Sequence, residues 1–214
     1  MLVEIKKSHW GWILILGSLW GFSEAALGMG LRSCASFVSG SVMTGAALFF
    51  MASAWSLTRK GSGVIFLVVI ASLFKMFDAF LLSLPFFHGA VANPIFAFFM
   101  EGAAFLLLIA VFSEKWRAKS HGRALLGGMA ALVAVNLFPL VKFATGIPAC
   151  VVPGTGYPLS LHYAPIAAAL SFITVPAGFW LGERAASLER NFGYLASPAA
   201  LILGLALVAL IRLV

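Results

Sequence analysis

Charged residues are scarce in this sequence, and acidic residues are the scarcest. Only 10% of the 214 residues are Asp, Glu, Lys or Arg, and only 7 are acidic. An average soluble domain carries about 25% charged residues. Hydrophobic residues account for 62% of the chain, and the mean hydropathy is +1.05. The shortage of charge excludes an ordinary soluble domain and indicates an integral membrane protein.

Motifs for catalysis and for nucleotide binding are missing as well. The sequence contains no H-E-x-x-H, G-x-S-x-G or P-loop string, and its two cysteines do not form a C-x-x-C pair. His88 and His162 lack the spacing of metal ligands. We therefore expect no cofactor and no metal site. The net charge of +7 fits the basic loops of a membrane protein, so we expect no nucleic-acid partner.

What the sequence does have is long apolar runs. Each is near the ~20 residues that a helix needs to cross the bilayer core. They predict an all-α, polytopic membrane bundle that forms a single transmembrane domain over residues 1–214. About seven helices are expected, and six remain possible because the second and seventh runs are the weakest. The predicted spans are 10–31, 36–57, 62–86, 93–113, 123–145, 161–182 and 194–213.

The basic residues predict an orientation. With a cytoplasmic N-terminus, the seven-span topology puts ten Lys and Arg residues on the cytoplasmic side. Only Arg32, Lys142 and Arg212 fall near the outer side. Cytoplasmic loops carry an excess of Lys and Arg, so the count favours the N-terminus inside the cell.

Five ionisable residues lie inside the apolar runs, namely Glu24, Lys75, Asp78, Glu101 and Lys142. A charge in hydrocarbon costs at least ~2.5–3.5 kcal/mol, so such groups usually face a cavity or a partner. The topology puts all five at mid-depth or in the outer half of the bilayer. They predict a polar pocket open to the outside of the cell, although Lys75 and Asp78 are also spaced to neutralise each other along one helix. The candidate solute-binding residues are Glu24, Lys75, Asp78, Glu101, Asn136 and Lys142.

The first span carries a row of small residues, Gly17, Gly21 and Ala25, at four-residue spacing. Small residues at this spacing allow close approach of another helix. Two interpretations stay open: packing within the chain, and contact with a helix of a partner subunit.

The outer side of the predicted topology holds both cysteines and the longest loop. Cys34 and Cys150 are predicted to lie in an oxidising compartment, where a disulfide between them is possible. The loop GIPACVVPGTGYPLSLHY, residues 146–163, is rich in Gly and Pro. It is either a plain solvated loop or a lid over the pocket.

The compact helical layout, the small-residue row of the first span and the loop from Pro148 to Pro158 together resemble the substrate-binding S component of energy-coupling-factor transporters. The resemblance implies a solute pocket near the outer surface, and a first helix that contacts a membrane scaffold subunit. That scaffold in turn binds cytoplasmic ATPases. The resemblance also implies that the protein lies in the inner membrane of a prokaryote. A seventh span departs from the six that are usual in the family.

The leading hypothesis is therefore a membrane transport protein that captures a small polar or charged solute for a larger uptake system. Three alternatives stay open. One is a self-sufficient proton-coupled carrier. Another is an intramembrane enzyme that acts on a lipid or quinone with a carboxylate and a histidine. The third is a structural subunit whose buried charges fix helix register.

Overall fold

The computed structural model describes residues 7–30, 36–146, 150–152, 154–187 and 193–213. Within these ranges the regular structure is helical, and the β-pairing is an isolated bridge between Val151 and Pro158. The helices are α1 (Lys7–Gly30), α2 (Ser36–Thr58), α3 (Gly61–Leu81), α4 (Gly89–Val111), α5 (Glu114–Arg117), α6 (Ser120–Leu137), α7 (Val141–Thr145), α8 (Leu159–Ser187) and α9 (Gly193–Leu213).

Five helical segments of the described chain are long and apolar enough to cross a membrane. They are Val38–Thr58, Gly61–Leu81, Gly89–Val111, Ser120–Thr145 and Leu159–Ser187. A shorter apolar segment, Pro198–Arg212, lies in α9. The all-α prediction is confirmed for the described residues, and the five long segments are consistent with a multi-pass integral membrane protein.

Six long helices form a closed ring. Around the ring, α2 contacts α8, α8 contacts α6, α6 contacts α4, α4 contacts α3, α3 contacts α1, and α1 contacts α2. The seventh long helix, α9, packs on α1 and α3 from outside this ring. The core between the helices is filled by large buried side chains such as Trp20, Phe98, Phe105 and Phe179.

Helices α2 and α8 pack closely in the ring, and glycines make that approach possible. A Cβ placed on Gly178 would lie 2.3 Å from the carbonyl oxygen of Phe49, and one on Gly182 would lie 2.3 Å from that of Ser53. The two glycines form a G-x-x-x-G string on one face of α8. The Ser56 hydroxyl adds a hydrogen bond of 3.0 Å to the carbonyl of Phe179.

The small-residue row of α1 packs inside the chain. A Cβ on Gly17 would meet Ile70 at 2.8 Å, and one on Gly21 would meet Phe74 at 2.4 Å, so both glycines face α3. Ala25 is buried as well. The structure places this face of α1 against α3, so it is not open to a helix of another subunit. Of the two interpretations of the row, packing within the chain accounts for Gly17, Gly21 and Ala25.

Two helix boundaries differ from the sequence prediction, one because of an N-cap and the other because of a proline. The fourth helix begins at Gly89, with the His88 side chain accepting a hydrogen bond from the Ala90 amide as its N-cap. Pro94 therefore sits inside the helix instead of at its start. The predicted span 123–145 is broken by a 3-10 turn at Phe138–Leu140, because Pro139 cannot continue the hydrogen-bond ladder.

The described connections between consecutive long helices lie at two opposite ends of the ring. At one end Glu183 of α8 accepts a forked pair of hydrogen bonds from Arg123 of α6, at 2.6 and 3.3 Å. Arg59, in the connection from α2 to α3, lies 3.6 Å from the same carboxylate. Arg123 also donates to the carbonyl of Arg117 at 2.8 Å. Three chain segments are thus fastened together at this end, here called the Glu183 end.

Candidate functional site

A cavity of about 370 Å³ lies at the opposite end of the ring. Its wall comes from the second halves of α1 and α3, the last turn of α9, the first half of α2, α4 up to its middle and the start of α8. Phe138 and Cys150, between α6 and α8, complete it. The volume falls in the range of about 300–1,000 Å³ that is usual for small-molecule sites. The polar side chains in the wall are Glu24, Ser39, Thr44, Lys75, Asn93, Glu101, Tyr163 and Arg212.

Glu24 enters the cavity from α1. It is only 5% exposed, and its Oε2 atom has no hydrogen-bond partner. The indole of Trp20, one helical turn earlier, lies beside the same carboxylate. Its Nε1 atom nevertheless makes no hydrogen bond of acceptable geometry. Lys75 is the cation that interacts with Glu24. A buried carboxylate oxygen without a donor is costly, so this atom is available to accept a hydrogen bond from a donor in the cavity.

Glu101 enters the same cavity from α4 and is 6% exposed. Its carboxylate interacts electrostatically with Glu24 and with the Thr44 hydroxyl of α2. Tyr163, at the start of α8, interacts with Glu101 in turn. Two carboxylates from separate helices therefore face one space, with polar groups of α2 and α8 beside them.

Asp78 is held by two cations behind the cavity wall. It is 2% exposed. Arg212 of α9 binds it through both Nε and Nη2, the latter at 2.9 Å from Oδ2. Lys75 Nζ lies 3.3 Å from Oδ2. The predicted Lys75–Asp78 pair along α3 is confirmed, and Arg212 completes a charge triad. Lys75 and Arg212 line the cavity, and Asp78 orients both.

The first two turns of α4 present acceptor atoms to the cavity. The Oδ1 atom of Asn93 is buried without a hydrogen-bond partner. Pro94 has no amide hydrogen, so the carbonyl of Ala90 lacks its usual helical donor. Ala90, Asn93 and Pro94 all belong to the cavity wall.

The long loop between α7 and α8 forms a small hairpin at the cavity. Leu159 donates to the carbonyl of Cys150 at 2.8 Å, and Val152 donates to that of Tyr157 at 3.0 Å. Cys150 lies in the cavity wall. The other cysteine of the predicted disulfide, Cys34, lies outside the described residues.

Two of the predicted solute-binding residues lie elsewhere. Asn136 is exposed on the bundle surface, where its amide donates to the carbonyl of Leu132 at 2.8 Å. Lys142 is exposed on α7. Asn136 lies on the outward-facing stripe of α6 that also carries Met129 and Leu132. Lys142 lies beyond the 3-10 turn at Phe138–Leu140. Glu24, Lys75 and Glu101 are the predicted residues that the structure brings to the cavity.

Sequence reasoning missed several polar residues of the wall. Arg212 was counted only as a charge near the outer side, and the α9–α3 contact that brings it to Asp78 is a tertiary feature. Asn93, Thr44 and Tyr163 are neutral, so no charge in an apolar run marks them. Asn93 next to Pro94 was the available clue, since proline inside a helix frees a carbonyl.

The described part of the cavity wall contains no histidine and no group of metal-ligand residues. Neither His88 nor His162 is among the described residues of the cavity wall. The carboxylate–histidine pair of the enzyme hypothesis is therefore not assembled there. Within the described ranges, no group of three or more His, Cys, Asp or Glu side chains is arranged to hold a metal ion. Comparison with known protein families, curated proteins and solved structures finds no match to the chain.

Proposed function

We propose that this chain is a membrane transport protein that binds a small polar or charged solute in the cavity at Glu24 and Glu101. The observation that carries the proposal is the buried, partnerless Oε2 atom of Glu24 beside a second buried carboxylate in a space of about 370 Å³. A scaffold that used these charges only to fix helix register would gain nothing from leaving that atom without a donor.

The proposal includes a topology. Seven crossings with a cytoplasmic N-terminus put the Glu183 end inside the cell and the cavity end outside. The abundance of basic residues near the Glu183 end supports this orientation, since Arg59, Arg117, Arg123 and Arg184 all lie there. We place the protein in the inner membrane of a prokaryote, where the cavity would collect solute from the outside.

The wider role we propose is solute capture for a larger uptake system. The short connections at the Glu183 end, such as the one from Thr58 to Gly61, leave no room for an ATPase domain between the described helices. Energy would then come from a membrane scaffold subunit with cytoplasmic ATPases. Because α3 covers the row at Gly17 and Gly21, a scaffold would contact another surface of the bundle.

The test is to identify what the purified protein carries. Wild-type protein, the double variant Glu24→Gln/Glu101→Gln and the control Glu114→Gln are purified in parallel, and extracted small molecules are compared by mass spectrometry. Glu114 is exposed on α5, at the far end from the cavity. We expect one solute in wild type and control that is depleted at least tenfold in the double variant. Equal amounts in all three proteins, or no solute in any, would refute the proposal.

A proton-coupled carrier is the second candidate, and the pairing of Glu24 with Glu101 favours it. Two carboxylates in one water-poor space hold a proton between them readily. Liposomes that contain only this chain distinguish the two functions. Uptake of the co-purified solute that follows an imposed pH gradient supports the carrier, whereas binding without uptake supports the capture subunit.

A further inference from the structure

The charges around the cavity do not balance, and the imbalance points to the class of solute. Three carboxylates, Glu24, Asp78 and Glu101, face two cations, Lys75 and Arg212. Asp78 is already bound by both cations. The set has a formal charge of −1, and the excess negative charge lies on the Glu24–Glu101 side.

Among the described residues of the wall, the buried side-chain atoms without a hydrogen-bond partner are both acceptors. Glu24 Oε2 and Asn93 Oδ1 are buried acceptors with no donor. The Ala90 carbonyl, freed by Pro94, is a third acceptor on the same wall. Trp20 Nε1 is a donor without a partner, but Trp20 is not part of the wall. A ligand that satisfies the wall must donate hydrogen bonds.

The rest of the wall suits an organic group. Phe98, Phe138 and Tyr163 contribute aromatic rings, and Met43 contributes a thioether. Aromatic faces attract cations. The volume equals that of roughly a dozen water molecules at about 30 Å³ each, which is room for a ring and a short charged arm.

We infer that the cavity binds an organic monocation, a protonated amine or a cationic heteroaromatic ring, with its charged group between Glu24 and Glu101 and its apolar part against Phe98 and Phe138. The cation takes the place of the proton that Glu24 and Glu101 otherwise share, so that its one positive charge brings the five-residue set to neutrality. N–H groups of the cation supply the donors that Glu24 and Asn93 lack. This inference rests on the proposed function, because it names the class of solute that the same site takes.

The test uses three probes that share a benzyl or benzoyl ring and differ in charge: benzylammonium, benzyl alcohol and benzoate. Thermal unfolding of the purified full-length chain is followed by tryptophan fluorescence at rising probe concentration. We expect benzylammonium alone to raise Tm, by about 5–10 °C when its concentration reaches about 100 times Kd. The same titration on Glu101→Gln and on Asn93→Ala should give a Kd weakened about 10- to 100-fold for the former and less for the latter. The control Glu114→Gln should behave as wild type.

Each result of these titrations either supports or overturns the inference of an organic monocation. Stabilisation by benzoate or benzyl alcohol in place of benzylammonium overturns the inference and leaves a solute site of another charge. A benzylammonium effect that survives unchanged in Glu101→Gln and Asn93→Ala also overturns it. If no probe shifts Tm while the co-purified solute is found, only the inference fails. If no solute is found either, the proposed function fails with it. Unfolding curves without probe show directly whether each variant is folded.

Discussion

Replacing Gly182 by alanine should force α2 and α8 apart. The added Cβ would lie 2.3 Å from the Ser53 carbonyl oxygen and 2.8 Å from the Ser56 Cβ atom. Ordinary contact begins near 3.4 Å, so the helices must separate locally by about 1 Å (3.4 − 2.3 = 1.1). The obstacle is backbone and cannot rotate away, as the tip of a side chain would. The separation also lengthens the hydrogen bond from Ser56 to Phe179.

The expected loss of stability follows from two opposing effects. Overpacking of this kind costs about 1–3 kcal/mol. Alanine recovers up to about 1 kcal/mol through its better helix propensity. Because the obstacle is backbone, the overpacking cost lies at the upper end, about 2–3 kcal/mol. Less about 1 kcal/mol for helix propensity, the net destabilisation of Gly182→Ala is about 1–2 kcal/mol, a fall in Tm of about 2–8 °C for a chain of this length. Thermal unfolding in detergent, followed by tryptophan fluorescence, measures it.

Gly45 supplies a matched control in the same interface. It lies on α2 and faces α8, but a Cβ there would meet Leu170 at 3.4 Å, which is ordinary contact. Gly45→Ala should leave Tm unchanged or raise it slightly. An equal fall in Tm for the two variants would refute the reasoning from close approach, and so would an unchanged Tm for Gly182→Ala.

The charge triad and the cavity loop give two more predictions. Asp78→Asn should destabilise the fold by about 3–5 kcal/mol, because it removes the buried carboxylate that both Lys75 and Arg212 bind. The double variant Asp78→Asn/Arg212→Gln should recover part of that loss. Purely additive losses in unfolding experiments would contradict a direct interaction. In a Cys34→Ser background, a membrane-impermeant maleimide added to intact cells should label Cys150, because Cys150 is exposed at the cavity. Labelling only after the membrane is opened would reverse the proposed orientation.

The charged residues of the cavity can be predicted from the sequence, because a charge in an apolar helix is so costly. Glu24, Lys75 and Glu101 had to face inward or face a partner, and the topology put them at similar depth. Hydropathy likewise predicts the long apolar helices, since each must satisfy its own backbone within the membrane.

The remaining features depend on contacts that no local pattern specifies. Asn136 is exposed on α6, although a polar side chain in an apolar run is expected to face inward. Arg212 reaches Asp78 only because α9 packs on α1 and α3. The row at Gly17 and Gly21 showed that a helix approaches α1 closely, but spacing alone does not distinguish a helix of the same chain from one of a partner.

The ion cluster at Glu183 has a mechanical consequence. It couples α6, α8 and the joint between α2 and α3 at one end of the ring, where Thr58 and Gly61 are separated only by Arg59 and Lys60. At the other end the joints 82–88 and 146–158 are longer, and the cavity interrupts the packing. The helices are thus held together at Glu183, so that a tilt of any one helix about this point moves its cavity end the most. If the cavity takes up a solute as proposed, small changes of helix angle are enough to widen its mouth while the contacts at Glu183 stay intact.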